Sequence, residues 1–271
     1  MKRVLPFLLL IIYFAFISVK IIFNDYVKLD NYHVIAHSGG GFDNYTYMNA
    51  LEAYYFEYEH GTRMFDADVR FTTDDVLVLR HEWTDNLGFI NSSKGMTYEE
   101  FINTKMYEKY TPMSFEDLLD FMISHKDVYI HLDVKNRFEE SYKQIVKLAE
   151  KKNCLNCLDR MVVSFYNYED YFLIKEIYDF KYYAIRKYPN FDLDINDILQ
   201  FCIENQIQYL SIMEQYFTED ILNLFHNNKI KVNVAVIDGE KACKYAKMGV
   251  DGIVSNFVTE NDFIECLKNE E

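Results

Sequence analysis

The sequence predicts an α/β fold, a (β/α)8 TIM barrel, preceded by one N-terminal transmembrane helix. Three observations lead there. After residue 30, short β-rich runs alternate with amphipathic stretches, the pattern of βα units around a parallel sheet. About eight strand positions fall within roughly 240 residues, the size of one barrel. Polar and titratable residues gather where those strands end, which is where barrel enzymes build their sites. An open doubly wound sheet shares the first of these signals and is the alternative.

The N-terminal element comes first. Met1-Lys2-Arg3 precedes an apolar run from Val4 to Val19 that resumes after Lys20 as Ile21-Ile22-Phe23. Counted through Lys20, whose stem can snorkel, it is about 20 residues and roughly 30 Å as a helix, enough for a bilayer core. No small-x-small cleavage pattern follows, so residues 1–24 are read as an uncleaved single-pass signal anchor, with a removable signal peptide as the alternative. Lys2 and Arg3 on the short side would stay in the cytoplasm and send the rest of the chain to the extracytoplasmic side of the cell membrane.

The barrel elements follow in order. Candidate strands are His33–His37, Met64–Thr72 with its hairpin partner Val76–His81, Val128–Lys135, Met161–Phe165, Tyr182–Arg186, Tyr209–Met213, Lys231–Ile237 and Gly252–Ser255. Helical patterns cover Met48–His60, Phe115–Ser124, Arg137–Lys152, Glu169–Tyr178, Ile195–Asn205, Glu219–Asn227 and Glu240–Lys247. Ser114 before Phe115-Glu116-Asp117, and Thr218 before Glu219-Asp220, read as N-caps with acidic first turns.

Composition bounds the domain and its partners. Of 271 residues 50% are hydrophobic and 26% charged, with 23 Tyr and 22 Phe against 9 Gly and 3 Pro. That inventory leaves no room for long linkers or disordered arms, so residues 30–271 are read as one compact domain. The formal net charge of −15 repels nucleic-acid backbones, and Lys and Arg are scattered rather than striped, so no nucleic-acid partner is expected. Five Cys is an odd number, and Cys154-Leu-Asn-Cys157 lacks the second ligand pair of a zinc site, so these read as ordinary thiols, with a disulfide the alternative if the domain lies outside the cytoplasm.

Strand alternation then assembles a site. Asp66 and Asp68 share one strand face at i, i+2 spacing, as do His131, Asp133 and Lys135 on a neighbouring strand. His37 ends the first strand and His81 closes the hairpin partner of the second. Three carboxylates with positions left for water and substrate suit a hard divalent cation, Mg²⁺ or Ca²⁺, better than a thiolate or imidazole metal. His131 either points into this site or packs beside it. His33, His60, His125 and His226 carry no comparable context.

Several runs, in order, resemble the glycerophosphodiester phosphodiesterase family. They are Ile35-Ala36-His37-Ser38-Gly39-Gly40, Asn49-Ala50-Leu51-Glu52-Ala53, Gly61 to Val69 with Phe65-Asp66-Ala67-Asp68, Thr72-Thr73-Asp74-Asp75, and Arg80-His81-Glu82-Trp83. Thr111 to Leu119, His131-Leu132-Asp133-Val134-Lys135 and Gly249-Val250-Asp251-Gly252-Ile253-Val254-Ser255-Asn256 continue the likeness, which spans about residues 33 to 257. The resemblance implies a TIM barrel that converts a phosphodiester, a small molecule or lipid head group, to a phosphomonoester and an alcohol. It implies His37 and His81 as general acid and base, Asp66, Asp68 and Asp133 as metal ligands, and Lys135 as a phosphate partner.

The chain also departs from the family pattern. Ser38 stands where the family has an arginine, and a serine cannot replace a bidentate cationic clamp, though it keeps a hydroxyl beside the phosphate position. Arg80 and Arg186 are the candidate replacements, and strand alternation turns Arg80 away from the face of His81. Asp66 and Asp133 stand where glutamate is usual, each a methylene shorter. Two other outcomes are therefore carried beside hydrolysis. One is a lyase or transferase on the same barrel, forming a cyclic phosphate or modifying an envelope glycan. The other is a membrane-tethered binding protein that has lost turnover.

Overall fold

A computed structural model describes residues 29–84, 94–189 and 193–268. The chain divides into two units, residues 1–32 and 33–271. Of the first, a single 3-10 turn, Leu29–Asn31, is described. The anchor expected over residues 1–24 lies outside the described residues, among which no helix is long and apolar enough to cross a membrane.

The second unit contains strands β1 Val34–Ala36, β2 Met64–Phe71, β3 Leu77–Leu79, β4 Tyr129–Val134, β5 Met161–Phe165, β6 Tyr182–Lys187, β7 Tyr209–Met213, β8 Lys231–Ala235 and β9 Gly252–Ser255. All but β3 are parallel. They pair in the order β1-β2-β4-β5-β6-β7-β8-β9, and β9 pairs back onto β1, so the sheet is a closed eight-stranded barrel of the TIM type. The doubly wound alternative is excluded by that closure. β3 folds back antiparallel on the end of β2, pairing Val69 with Leu79 and Phe71 with Leu77.

The two faces of each strand have different chemistry, as a period of two requires. Phe65, Ala67 and Val69 of β2, Ile130 and Leu132 of β4, Val163 of β5 and Ile185 of β6 share one core cluster with helix residues Leu118, Met122, Tyr142, Ile145, Ile174, Ile198 and Phe225. Burying each large apolar side chain there contributes about 1.5–3 kcal/mol. The alternate positions carry Asp66, Asp68, His131, Asp133, Ser164, Arg186, Ser211 and Asn233, all buried. The barrel interior is thus polar over a long arc, while its hydrophobic core lies between sheet and helices.

The helices begin where the sequence places caps. Ser114 Oγ accepts from Asp117 N at 3.1 Å while Asp117 Oδ2 accepts from Ser114 N at 2.8 Å, a complete capping box ahead of the helix Phe115–Ser124. Thr218 Oγ1 accepts from Ile221 N and starts the helix Glu219–Asn227. Among the described residues, the helices Tyr98–Asn103, Leu155–Leu158 and Glu260–Lys268 fall outside the predicted helical patterns; the first two are too short to display an apolar period. The last of them has a structural duty: Glu260 Oε2 accepts from His33 N at 2.9 Å and Val34 N at 2.8 Å, tying the start of β1 to the final helix.

Cys154 and Cys157 are buried free thiols, as read from the sequence, and so is Cys202. The disulfide joins Cys243 to Cys266 instead, across the helices Lys241–Met248 and Glu260–Lys268. No motif spacing marks that pair. With a sequence separation of 23 between its cysteines, the bridge stabilises the fold by about 3 kcal/mol in the loop-entropy account.

Glu57 is a buried acid outside the barrel strands. It lies beneath the glycine turn after β1, where a Cβ on Gly40 would come within 2.4 Å of its Cγ, and it accepts from Thr62 Oγ1 at 2.8 Å. Burial raises its pKa to about 7, opposed by the Thr62 hydroxyl. Below the ordinary carboxyl pKa both folded and unfolded states are protonated and nothing is lost. Above it the unfolded chain ionises first, so stability falls as pH rises through about 7, by about 3 kcal/mol at most. Glu57→Gln is therefore expected to be neutral near pH 4.5 and to raise the melting temperature by several degrees at pH 8. Parallel melting curves that stay equally spaced at both pH values would contradict this.

Candidate active site

The site forms at the C-terminal ends of β1, β2, β4, β5 and β6. The chain leaves β1 through a tight turn at His37-Ser38-Gly39-Gly40. Ser38 is left-handed at φ 50°, and Gly39 and Gly40 follow at φ 82° and 96°. A Cβ on Gly39 would fall 2.3 Å from the Tyr54 ring, so only glycine lets this turn settle on the helix Leu51–Glu59. The result holds His37 at the barrel mouth and turns Ser38 inward.

Ser38 is 0% exposed, and its hydroxyl donates to Asp68 Oδ2 at 2.6 Å. Asn49 Nδ2 donates to the same oxygen at 2.9 Å, and Asn49 N donates to Ser38 O at 2.6 Å. The residue in the family arginine's place is thus spent on orienting a carboxylate. Parallel register sets Asp68 beside Asp133 and Asp66 beside His131. Asp66, Asp68 and Asp133 each bring a carboxylate oxygen within 4.8 Å of the others.

Two cations thread this acidic cluster. Lys135 Nζ is 2.8 Å from Asp68 Oδ1 and 2.6 Å from Asp133 Oδ2. Arg186, reaching in from β6, places Nη2 2.6 Å from Asp66 Oδ1 and Nη1 2.6 Å from Asp133 Oδ2. The Tyr166 hydroxyl lies 3.0 Å from both oxygens of Asp133. Three carboxylates against two cations leave one net negative charge in a buried space, and all three offer hard oxygen donors. That donor set fits a divalent cation such as magnesium or calcium.

The electrostatics follow from burial and these neighbours. Burial pushes the Asp68 carboxyl up, but Lys135, His81 and His37 together outweigh it and hold the group well below the usual carboxylate range. Asp133 is likewise lowered, with Arg186 and Lys135 overcoming burial. At Asp66 burial, joined by the charges of Asp68 and Asp133, outweighs Arg186 and His37, so its pKa rises. Burial would lower Lys135, yet Asp68 and Asp133 raise it well above the ordinary value. His131 is 2% exposed, and burial lowers its pKa to about 3, so it is a neutral imidazole beneath the cluster.

His37 and His81 both pack against one tyrosine. The Tyr47 ring is 4.7 Å from the His37 ring and 4.8 Å from the His81 ring, centroid to centroid. His81 sits in a turn held by two arginines: Arg70 Nε donates to His81 O at 3.0 Å, and Arg80 Nε donates to Glu82 O at 2.8 Å. Arg80 therefore supports the turn from behind, as strand alternation requires.

His37 has an orienting chain that fixes its tautomer. Its Nδ1 is 2.8 Å from Asn256 Oδ1. Asn256 Nδ2 donates to Asp238 Oδ2 at 2.8 Å, so the amide presents its oxygen, not its nitrogen, to the imidazole. In the neutral ring Nδ1 then carries the proton, which leaves Nε2 as the lone-pair nitrogen. Asp238 is anchored in turn by Asn256 N at 2.8 Å and Phe257 N at 3.0 Å.

Every site residue marked in the sequence thus reaches one end of the barrel, Ser38 and His131 as buried members. Tyr47, Tyr166 and Asn256 were not singled out there. Tyr166 follows Ser164 at the strand period, which was its one available signal. Arg186 was marked only as a possible replacement for a missing clamp.

The family model of the glycerophosphoryl diester phosphodiesterases matches residues 37–185. Solved structures repeat the fold. A glycerophosphodiester phosphodiesterase from Parabacteroides distasonis superposes with a TM-score of 0.68 at 18% identity, covering 88% of this chain and 96% of that one. One from Thermotoga maritima gives 0.65 at 18%, covering 87% and 98%. A phosphodiesterase from Oleispira antarctica, solved with the product sn-glycerol-3-phosphate, gives 0.69 at 15%, covering 88% and 97%. No curated protein matches the chain at a significant level of sequence similarity. With more than half its length inside that family model, the chain belongs to the glycerophosphoryl diester phosphodiesterase family of phosphoric diester hydrolases.

Proposed function

We propose that this protein is a divalent-metal-dependent phosphodiesterase that cleaves a glycerophosphodiester, free or as a lipid head group, to a phosphomonoester and an alcohol. One observation carries the reading: two histidines pack against a single tyrosine at the mouth of a barrel whose floor is a three-carboxylate cluster. The sn-glycerol-3-phosphate seen in the Oleispira antarctica relative is the product expected here.

Asp66, Asp68 and Asp133 would hold the cation, Mg²⁺ or Ca²⁺, which when bound withdraws charge from a phosphate oxygen. The remaining duties fall to the chain's own groups. Lys135 and Arg186 supply fixed positive charge beside the phosphate, where negative charge builds during displacement. His37, with Nδ1 committed to Asn256, takes the proton of the attacking hydroxyl at Nε2, and the Asn256–Asp238 pair keeps the ring aimed. His81 gives a proton to the departing alkoxide. If a substrate hydroxyl attacks first, a cyclic diester forms and water opens it in a second round on the same two histidines.

The anchor at residues 1–24 would tether the barrel outside the cytoplasmic membrane. The Cys243–Cys266 disulfide supports that placement, because such bonds persist in oxidising compartments. Phosphorus NMR of glycerophosphocholine turnover in oxygen-18 water tests the chemistry. The expected result is glycerol phosphate carrying the label. A cyclic phosphate that accumulates, or phosphate without label, would replace hydrolysis by a lyase or transferase reaction.

A further inference from the structure

Two tight hairpins meet beside the histidine pair, and neither contains a glycine. In the first, Phe42 and Tyr45 exchange backbone hydrogen bonds at 3.0 and 2.9 Å around Asp43 and Asn44, whose φ values of 50° and 65° are those of a type I′ turn. In the second, Met106 and Tyr110 exchange bonds at 2.9 Å around a tip in which Tyr107 and Glu108 stand at φ 52° and 59°. Left-handed backbone in non-glycine residues costs of order 1–3 kcal/mol each and persists where the surroundings over-determine it, most often at functional sites.

The surroundings do so here. The Tyr110 hydroxyl donates to the Asp43 carboxylate, Lys109 Nζ lies 2.6 Å from Asp43 Oδ2, and the Tyr45 ring stacks on Tyr107 at 3.7 Å and 18°. With Asn44 these residues line a cavity of about 330 Å³, within the range of small-molecule sites. Tyr47, two residues beyond Tyr45 and itself at φ 56°, is the ring that touches both His37 and His81. One short ribbon therefore carries both the aromatic stack and the ring shared by the histidine pair.

The lining selects among ligand chemistries. A quaternary ammonium would seek the tyrosine faces beside Asp43, but the Lys109 ammonium already lies 4.9 Å over the Tyr110 ring and is paired with Asp43. A second anion would meet the Asp43 carboxylate. An acyl chain would strand the polar rim. What fits is a flat-faced, uncharged, polyhydroxylated ring, with its C–H face on Tyr45, which is 37% exposed, and its hydroxyls on Asp43, Asn44 and Lys109. We propose that the pocket of Asp43, Asn44, Tyr45, Tyr107 and Lys109 is a subsite for a sugar or cyclitol alcohol carried by the phosphodiester. This inference rests on the phosphodiesterase reading of the neighbouring histidines.

The test uses the full-length protein in detergent, with Tyr45→Ala, Tyr107→Ala and Tyr107→Phe. Glycerophosphoinositol carries such a ring, whereas glycerophosphocholine carries none. Each alanine variant is expected to lower kcat/KM for glycerophosphoinositol about tenfold and leave glycerophosphocholine unchanged, and Tyr107→Phe to keep wild-type values. Equal losses on both substrates would make the loop a support for the histidines and overturn the subsite, as would no loss on either. Saturation-transfer NMR with free myo-inositol separates this proposal from the reading it rests on. A signal from the wild type that Tyr45→Ala abolishes supports the subsite even if neither diester is cleaved, a result that would count against the phosphodiesterase reading alone. Absence of any signal from the wild type overturns the subsite.

Discussion

Replacing His37 or His81 with alanine is expected to lower kcat by about 10³-fold, the scale of a lost general acid or base. The melting temperature should stay within a few degrees of wild type, because both rings lie at the barrel mouth and not in the core between sheet and helices. The double variant should be scarcely worse than either single one, since the two groups serve one proton circuit and their losses do not add. Near-normal turnover in either single variant would remove that histidine from the mechanism. Asn256→Ala offers a graded companion: freed from its acceptor, the His37 ring loses its preferred tautomer and orientation, so a smaller loss of kcat is expected.

The second large effect concerns the acidic cluster. Treatment with EDTA should abolish turnover, and Mg²⁺ or Ca²⁺ should restore it. Asp68→Asn should lower both metal affinity, read by calorimetry, and kcat/KM by about 10²-fold, because it removes the carboxylate that Lys135, Ser38 and Asn49 hold ionised. The same change leaves Lys135 with one of its two acidic partners, so some stability is lost as well. Calorimetry on the folded variant separates the two effects. Full activity after exhaustive chelation would dismiss the cation from the reaction.

The barrel was largely legible in the sequence because each strand is a short β-rich run bounded by turn residues, and the strands of the structure fall within a residue or two of those runs. Asp66, Asp68, Asp133 and Lys135 were legible for a related reason. Strand alternation fixes which side chains share a face, and register only has to bring β2 beside β4. The rest depends on contacts between distant strands. Arg186 lies 120 positions from Asp66, and no local pattern says that β6 will aim its guanidinium across the barrel. Asp238 and Asn256 meet His37 only after β9 pairs with β1. The Asp43-Asn44 turn lacks the glycine that usually announces its type, and the Cys243–Cys266 bridge follows from how two late helices pack.

The grip of Glu260 on the first strand has a consequence for biogenesis. A chain emerging in order, from the ribosome or through a membrane, presents the unpaired edge of β1 from the outset. Such an edge invites pairing with other chains. Its partner β9 and its carboxylate clasp arrive only after residue 250, so truncation anywhere before that point should yield aggregates rather than a smaller stable protein. For a barrel of this topology, folding quality control amounts to waiting for the last two elements.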